Sequence, residues 1–204
     1  MSILRKRIYI SADYSEEHGD RDVVEILNKW GNDDFHLVDF VDMSHVVSGS
    51  VEADPDCRPC DLKREFNQQI HLSSIVVFVI GDKTATRTAG SICNRLNNHS
   101  GCRCTPYKQN ANGTKMCKIP FSVPANGPYV GEINRYSYLH HEFATAQKQG
   151  KQIIVLYNSS RKEEQWLPKY MKGHMLQSMP FWHFNALGQR IPDYEQFKKI
   201  LGLS

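Results

Sequence analysis

Apolar residues along the chain follow two spacings, one typical of buried strands and one typical of amphipathic helices. The clearest strand is predicted at residues 73–81, where a continuous β-branched run is bounded by serines and a glycine, as in strands buried on both faces. Four more strands are predicted at 7–14, 35–42, 153–157 and 179–184, the second of them near a sheet edge. Apolar residues three and four positions apart predict helices at 23–30, 61–70, 137–150, 166–171 and 194–201.

This alternation of strands and helices predicts an α/β fold in three layers. We expect a mostly parallel central sheet with helices on both faces, of flavodoxin-like or TIR-like topology. The 204 residues suit a single domain spanning residues 1–204. Residues 43–60 are predicted to form a long loop. Residues 88–135 are rich in Gly, Asn, Pro and Cys and lack periodicity, so we predict an irregular insertion with short strands of its own, or a lid.

One predicted helix carries a carboxylate at the border of its buried face. Leu139, Phe143 and Ala146 fall on one side of this helix, and Gly150 ends it just before the next strand. Glu142 lies at the rim of the apolar stripe rather than opposite it. Two interpretations are open: a boundary residue whose stem packs while its head reaches water, or a functional carboxylate.

The composition shows no electrostatic bias towards nucleic acid or anionic membranes. The chain has 25 basic and 22 acidic residues, which give a formal net charge of +3 at pH 7. The apolar segment after the N-terminal basic residues is too short for a signal-peptide core, and no stretch reaches the length of a membrane span. We therefore expect a cytoplasmic protein with six reduced cysteines and no nucleic-acid or membrane partner.

Four cysteines form two close pairs that could hold a metal ion. Cys57 and Cys60 make a CxxC pair, and Cys102 and Cys104 make a CxC pair within the predicted insertion. Together the pairs could supply a tetrahedral structural zinc site that anchors the insertion, but their spacing fits no standard zinc finger. Cysteines without a ligand are the alternative.

Other sequence motifs exclude several common designs. No complete GxxxxGK[ST], GxSxG or HExxH motif is present, which argues against a nucleotide triphosphatase and against the common hydrolases. His140 and His141 precede Glu142, but neighbouring helix residues point about 100° apart. The three side chains are therefore not expected to converge on one ion, and solvated or hydrogen-bonded histidines are favoured.

Several short motifs occur in a defined order along the chain: Arg7-Ile8-Tyr9-Ile10-Ser11 with Asp13-Tyr14, Leu62-Lys63-Arg64, the strand at 74–81, Tyr138-Leu139-His140-His141-Glu142-Phe143, and Lys148-Gln149-Gly150-Lys151-Gln152-Ile153-Ile154. Their order resembles the TIR-like family, and most closely the TIR-like subunit of the Thoeris antiphage defence system. The insertion at 88–135 departs from the compact pattern of that family.

The resemblance implies a set of site residues. In enzymes of the family a helix glutamate cleaves the bond between nicotinamide and ribose in NAD, which implies this catalytic role for Glu142. An aromatic residue commonly lies four positions earlier, where Tyr138 stands here. Open α/β sheets bind ligands at the carboxyl ends of their strands, so substrate-binding residues are expected at the first and central strands: Tyr9, Ser11, Asp13, Tyr14, Thr84 and Arg87, with Tyr138 beside them.

The function implied by the resemblance is an NAD-consuming enzyme of the NAD glycohydrolase, ADP-ribosyl cyclase or transferase type. Its product would be an ADP-ribose-derived signal, cyclic or conjugated, that reaches a partner effector protein in bacterial antiphage defence. Self-assembly is expected, because in such enzymes a neighbouring subunit often completes the site. Two alternatives are a non-catalytic TIR-like module that binds a nucleotide or a protein, and a nucleoside deoxyribosyltransferase-like enzyme with a covalent glycosyl intermediate.

Overall fold

The computed structural model describes residues 6–13, 19–33, 36, 38–42, 58–87, 107–109, 115–117 and 137–203, with the backbone alone described at 58–64, 107–109 and 115–117. The strands in these ranges are β1 (Lys6–Ser11), β2 (Val38–Asp42), β3 (Ile75–Ile80), β4 (Tyr107–Gln109), β5 (Lys115–Cys117), β6 (Gln152–Tyr157), β7 (Gln177–Pro180), β8 (Trp182–Phe184) and β9 (Arg190–Pro192). The α-helices are α1 (Arg21–Gly31), α2 (Arg58–Leu72), α3 (Tyr138–Lys148) and α4 (Tyr194–Ile200).

A five-stranded sheet forms the centre of the molecule, with the strand order β2-β1-β3-β6-β7. Every neighbouring pair in this sheet is parallel. Counted within the sheet, the order is 2-1-3-4-5, which is the flavodoxin-like arrangement. The predicted α/β class is therefore confirmed, and β2 occupies the edge position expected from its alternating sequence.

The two faces of the sheet carry separate apolar layers. On one face, Ile8 and Ile10 of β1 pack with apolar residues of α1 and α4. On the other face, Tyr9 packs with Phe66 of α2 and Phe143 of α3. Successive strand residues point to opposite faces, so a central strand needs apolar residues at every position. All six residues of β3 are buried, which explains its unbroken apolar run.

The parallel order creates a crevice where β1 and β3 lie side by side. The chain leaves β1 towards β2 on one side, while β3 leads to the other half of the sheet. Ligands of open α/β folds bind at such a switch point, outside the carboxyl ends of the strands. The carboxyl end of β1 provides Ser11 and Asp13, and that of β3 is followed by a 3₁₀ turn at Thr84–Thr86.

Three predicted element boundaries are wrong. The loop predicted at 43–60 does not include residues 58–60, since α2 begins at Arg58, and the rest of this predicted loop lies outside the described residues. The helix predicted at 166–171 is a 3₁₀ turn, Glu164–Trp166, followed by isolated turns, because Pro168 has no N–H to continue a helix. The strand predicted at 179–184 is two strands, with β7 in the parallel sheet and β8 pairing antiparallel with β9.

The break between β7 and β8 lies at Phe181. Its N–H donates to the carbonyl of Tyr157 at 2.9 Å, and its carbonyl accepts from the N–H of Asp193. Phe181 is fully buried, so the chain turns around an anchored side chain before β8 begins. The apolar run at 179–184 therefore changes its partner strand at Phe181, from β6 to β9.

Within the range predicted to be an insertion, β4 and β5 pair antiparallel.

Among the residues that the structure describes, no helix has both the length and the apolar character needed to cross a membrane.

Candidate active site

Helix α3 presents the predicted catalytic glutamate to the sheet. Its first turn is capped by Ser137, whose hydroxyl accepts from the N–H of His140 at 3.1 Å. Its end is followed by Gly150 in the left-handed region, with φ of 64°. Phe143 packs edge-on against Phe78 of β3, with ring centroids 5.7 Å apart. These contacts fix the rotation of α3, and with it the direction of Glu142.

The Glu142 carboxylate contacts two hydroxyls of β1. One carboxylate oxygen accepts from the Tyr9 hydroxyl, and the other accepts from the Ser11 hydroxyl. Tyr9 and Ser11 are two residues apart on one strand, so both point to the face that α3 covers. Glu142 is only 4% exposed. The interpretation of Glu142 as a boundary residue with a solvated head is therefore wrong.

Burial sets the protonation behaviour of this carboxylate. Burial raises the pKa of Glu142 to about 7, although the hydroxyls of Ser11 and Tyr9 act in the opposite direction by hydrogen bonding to the charged form. A group with a pKa near 7 exchanges its proton at neutral pH, which is a property common to catalytic carboxyl groups.

Tyr170 closes the site on the side of the first turn of α3. Burial raises the pKa of its hydroxyl, the bond to Ser137 lowers it, and the nearby charge of Glu142 raises it. The Tyr170 hydroxyl lies 3.3 Å from the Ser137 hydroxyl. Its ring stacks on His140, with centroids 4.0 Å apart and planes 12° apart. Sequence reasoning missed this residue, because it assigned the surrounding segment to a helix without a site.

The two histidines before Glu142 point in different directions, as expected. His140 stacks on Tyr170, while His141 is buried and donates through Nε2 to the Asn67 side-chain oxygen at 2.9 Å. The Thr145 hydroxyl donates to the same oxygen at 3.0 Å. Asn67 of α2, which the sequence analysis did not select, therefore bonds two side chains one turn apart on α3.

An ion pair joins the loops that follow β1 and β3. Arg87 donates through Nε to the Asp13 carboxylate at 2.6 Å, with Asp13 buried and the Arg87 side chain 37% exposed. Two predicted substrate-binding residues are thus brought together at the switch point. Thr84 is buried, and its hydroxyl accepts from the N–H of Gly81 at 2.8 Å, so it shapes the turn between them.

Tyr138, the aromatic residue one turn before Glu142, packs edge-on against Phe66 with ring centroids 5.3 Å apart. It is half-buried, and it lies in the same apolar layer as Tyr9. Of the remaining predicted site residues, Tyr14, Cys57, Cys102 and Cys104 lie outside the described residues, and Cys60 lies in the part of α2 described by its backbone alone. In the described ranges, no group of three or more potential metal ligands is present.

Comparisons with known proteins add little to this geometry. No protein-family model matches the chain, and no curated protein matches it. The chain is similar to the crystal structure of a prokaryotic SEFIR domain, with a TM-score of 0.39 and 13% identity over 97% of this chain and 94% of that one. At this level of similarity, function has to be inferred from the site itself.

Proposed function

We propose that the protein is a TIR-like enzyme that cleaves the bond between nicotinamide and ribose in NAD, with Glu142 as the catalytic residue. One observation carries the proposal: a buried carboxylate of α3 accepts hydrogen bonds from Tyr9 and Ser11 of β1. This arrangement lies beside the switch point of the sheet, where α/β folds bind nucleotides.

A single carboxylate suits this reaction. The bond from the ribose C1′ to the pyridinium nitrogen breaks with its electron pair going to nitrogen, so nicotinamide leaves neutral and needs no general acid. Positive charge then develops on the ribose, where an ionised Glu142 stabilises it. An acceptor hydroxyl or water forms the new bond to C1′, and its proton passes to solvent water. The acceptor decides whether the product is hydrolysed, cyclic or conjugated.

The two hydrogen bonds to Glu142 leave acceptor positions on its oxygens for the substrate. A carboxylate has about four acceptor positions on its two oxygens. Tyr9 and Ser11 occupy one on each oxygen. The remaining positions are suited to the ribose hydroxyls, while the two fixed donors hold the carboxylate in one orientation.

The ion pair of Asp13 and Arg87 lies at the same carboxyl edge of the sheet as Ser11, in the loops that follow β1 and β3. Arg87 is partly exposed, as a residue that receives the diphosphate of NAD needs to be. Tyr138 offers an aromatic ring one helical turn from Glu142 for contact with the nicotinamide.

The product would act as a signal for an effector protein, and antiphage defence is the setting that the sequence resemblance suggests.

The second candidate is a non-catalytic module in which Glu142 ties α3 to the sheet. The observation that favours it is the depth of the site: Glu142 is 4% exposed, and both of its oxygens are engaged. A buried carboxylate with a hydrogen bond to each oxygen is also what a structural role requires.

The test is to incubate concentrated protein with NAD and to follow nicotinamide and ribose products by chromatography with mass detection. Wild type, Glu142→Gln and Glu25→Gln are compared, because Glu25 is an exposed glutamate of α1. We expect nicotinamide release from wild type and Glu25→Gln and none from Glu142→Gln. Release by Glu142→Gln at the wild-type rate would refute the catalytic assignment. No release from any of the three favours the binding module.

A further inference from the structure

A second buried carboxyl group lies at the carboxyl edge of the sheet, outside the Glu142 contacts. Asp20 stands at the N-cap of α1, where an aspartate usually accepts from the first free N–H groups of the helix. Here its side chain makes no such bond. Instead, Oδ1 accepts from the side-chain amide of Asn158 at 3.0 Å, and Asp20 is only 3% exposed.

Asp20 touches the loops that follow three neighbouring strands. Its N–H donates to the carbonyl of Asp13 at 2.7 Å, which closes the loop after β1. A Cβ on Gly81, directly after β3, would lie 2.4 Å from Oδ1 of Asp20, so this approach requires glycine. Asn158 follows β6, and its N–H donates to the carbonyl of Ile80 at 2.9 Å.

Asn158 is itself held from its other side. Its side-chain oxygen accepts from the indole N–H of Trp182 at 2.7 Å and from Arg190 at 2.9 Å. Its amide group also donates to Asp22 at 3.0 Å. These donors define the orientation of the amide, because its oxygen faces two N–H groups and its nitrogen faces oxygens of two carboxyl groups.

We propose that Asp20 and Asn158 are positioning residues, which lock the three carboxyl-edge loops together and so hold Asp13 and Arg87 in the geometry that binds substrate. Asp13 and Arg87 both belong to the locked segments. The carbonyl of Asp13 accepts from the N–H of Asp20, and Arg87 ends the turn that begins after Gly81. The proposal rests on the proposed function for its consequence in catalysis, but the lock can be measured without any substrate.

The charges around Asp20 give the lock a pH dependence. Asp13, Asp22 and Asp82 face Asp20 and disfavour its ionisation, Arg87 pairs with Asp13, and Arg190 contacts Asp22 at 3.4 Å. Burial, as the largest cause, together with these carboxylates raises the pKa of Asp20 to about 7, against the lowering effect of the Asn158 bond. Asp20 is therefore protonated near neutral pH and below when the three loops are locked together.

The direction of the effect follows from linkage. An opened loop returns Asp20 to an ordinary pKa, so opening releases its proton and becomes more favourable as pH rises. The opening equilibrium should increase on the order of tenfold per pH unit between about pH 5 and 7, and then level off. A structural role without titration would give no such slope.

Amide exchange measures this opening directly. The reporter amides are those of Asp20, Gly81 and Asn158, one from each loop, and the amide of Leu201 in the C-terminal region serves as an internal control. All variants carry Glu142→Gln, so that Asp20 is the buried carboxyl group whose titration is followed. Exchange rates are corrected for the intrinsic effect of pH.

In Glu142→Gln we expect reporter exchange to rise at least tenfold between pH 5 and 7, with no change at the control amide. The double variant with Asp20→Asn keeps an acceptor for Asn158 and should show a flat profile. The double variant with Asn158→Ala should exchange faster at every pH. The lock is refuted if the first two variants share one pH profile, or if Asn158→Ala leaves the reporter amides protected.

A kinetic arm tests the consequence for substrate binding. With Glu142 intact, Asn158→Ala should raise KM for NAD several-fold while kcat changes less than twofold. A lowered kcat at unchanged KM would contradict a role in positioning Asp13 and Arg87. Absence of NAD turnover in the wild type would instead contradict the proposed function, while the exchange profiles would still decide on the lock.

Discussion

Replacing Glu142 by glutamine should stabilise the fold at alkaline pH while it removes activity. In the folded protein burial raises the pKa of Glu142 from 4.5 to about 7, a span of roughly 2.5 pH units. Between these values the folded state holds a proton that the unfolded state has lost, so wild-type stability falls as pH rises. Each pH unit corresponds to about 1.4 kcal/mol, which gives a loss of up to about 3 kcal/mol by pH 8.

Glutamine is the matched change because it does not ionise and keeps nearly the same shape. Its side-chain oxygen can accept from one of the two β1 hydroxyls, and its amide can donate to the other after that hydroxyl rotates. At pH 5 the protonated wild type and Glu142→Gln should differ by less than about 1 kcal/mol. The advantage of Glu142→Gln should then grow with pH and become constant above about pH 8.

The assay is urea unfolding of both proteins at several pH values from 5 to 8.5. Other titrating groups, including Asp20, are common to both proteins and cancel in the difference of unfolding free energies. Glu25→Gln serves as the matched control because it makes the same substitution at an exposed position of α1. A constant difference between wild type and Glu142→Gln across this range would refute the reasoning, since it would mean that the folded site does not hold the proton.

Three further substitutions test neighbouring parts of the account. Tyr9→Phe removes a hydrogen-bond donor to the charged carboxylate and should raise the pKa of Glu142. At saturating NAD the rate is expected to rise with pH near 7 as Glu142 ionises, and in Tyr9→Phe this rise should move to higher pH. An unchanged profile would contradict the donor role of Tyr9. Gly81→Ala should cost about 1–3 kcal/mol in urea unfolding, because its Cβ would lie 2.4 Å from the Asp20 carboxylate. Gly150→Ala, with φ of 64° and open space around it, should cost about 1–2 kcal/mol from backbone strain alone, and a neutral result would show that the cap adjusts.

The sequence predicts most of the sheet because its signals are local. Every position from 75 to 80 is apolar, and a strand of this kind needs a partner on both sides and a helix layer on both faces. The same reasoning identifies α3, since its apolar spacing and the glycine that ends it, Gly150, lie within one short segment. Boundaries set by distant contacts were not predictable: the strand at 179–184 divides because the backbone of Phe181 bonds to Tyr157 of β6 and to Asp193.

The candidate site is predictable in part for the same reason. A helical wheel places Glu142 at the rim of its apolar stripe, but it contains no information on what covers the rim. Coverage comes from Tyr9 and Ser11, which lie 133 and 131 residues away in the chain. Tyr170 and Asn67 were missed because they reach the site only through the packing of other elements.

The most direct test measures nicotinamide release and stability on the same preparations of wild type and Glu142→Gln at pH 8. We predict that Glu142→Gln is at least as stable to urea as wild type and releases no nicotinamide from NAD, because the carboxylate that burial destabilises is also the one that the reaction requires. Nicotinamide release by a folded Glu142→Gln at the wild-type rate would contradict the catalytic role of Glu142.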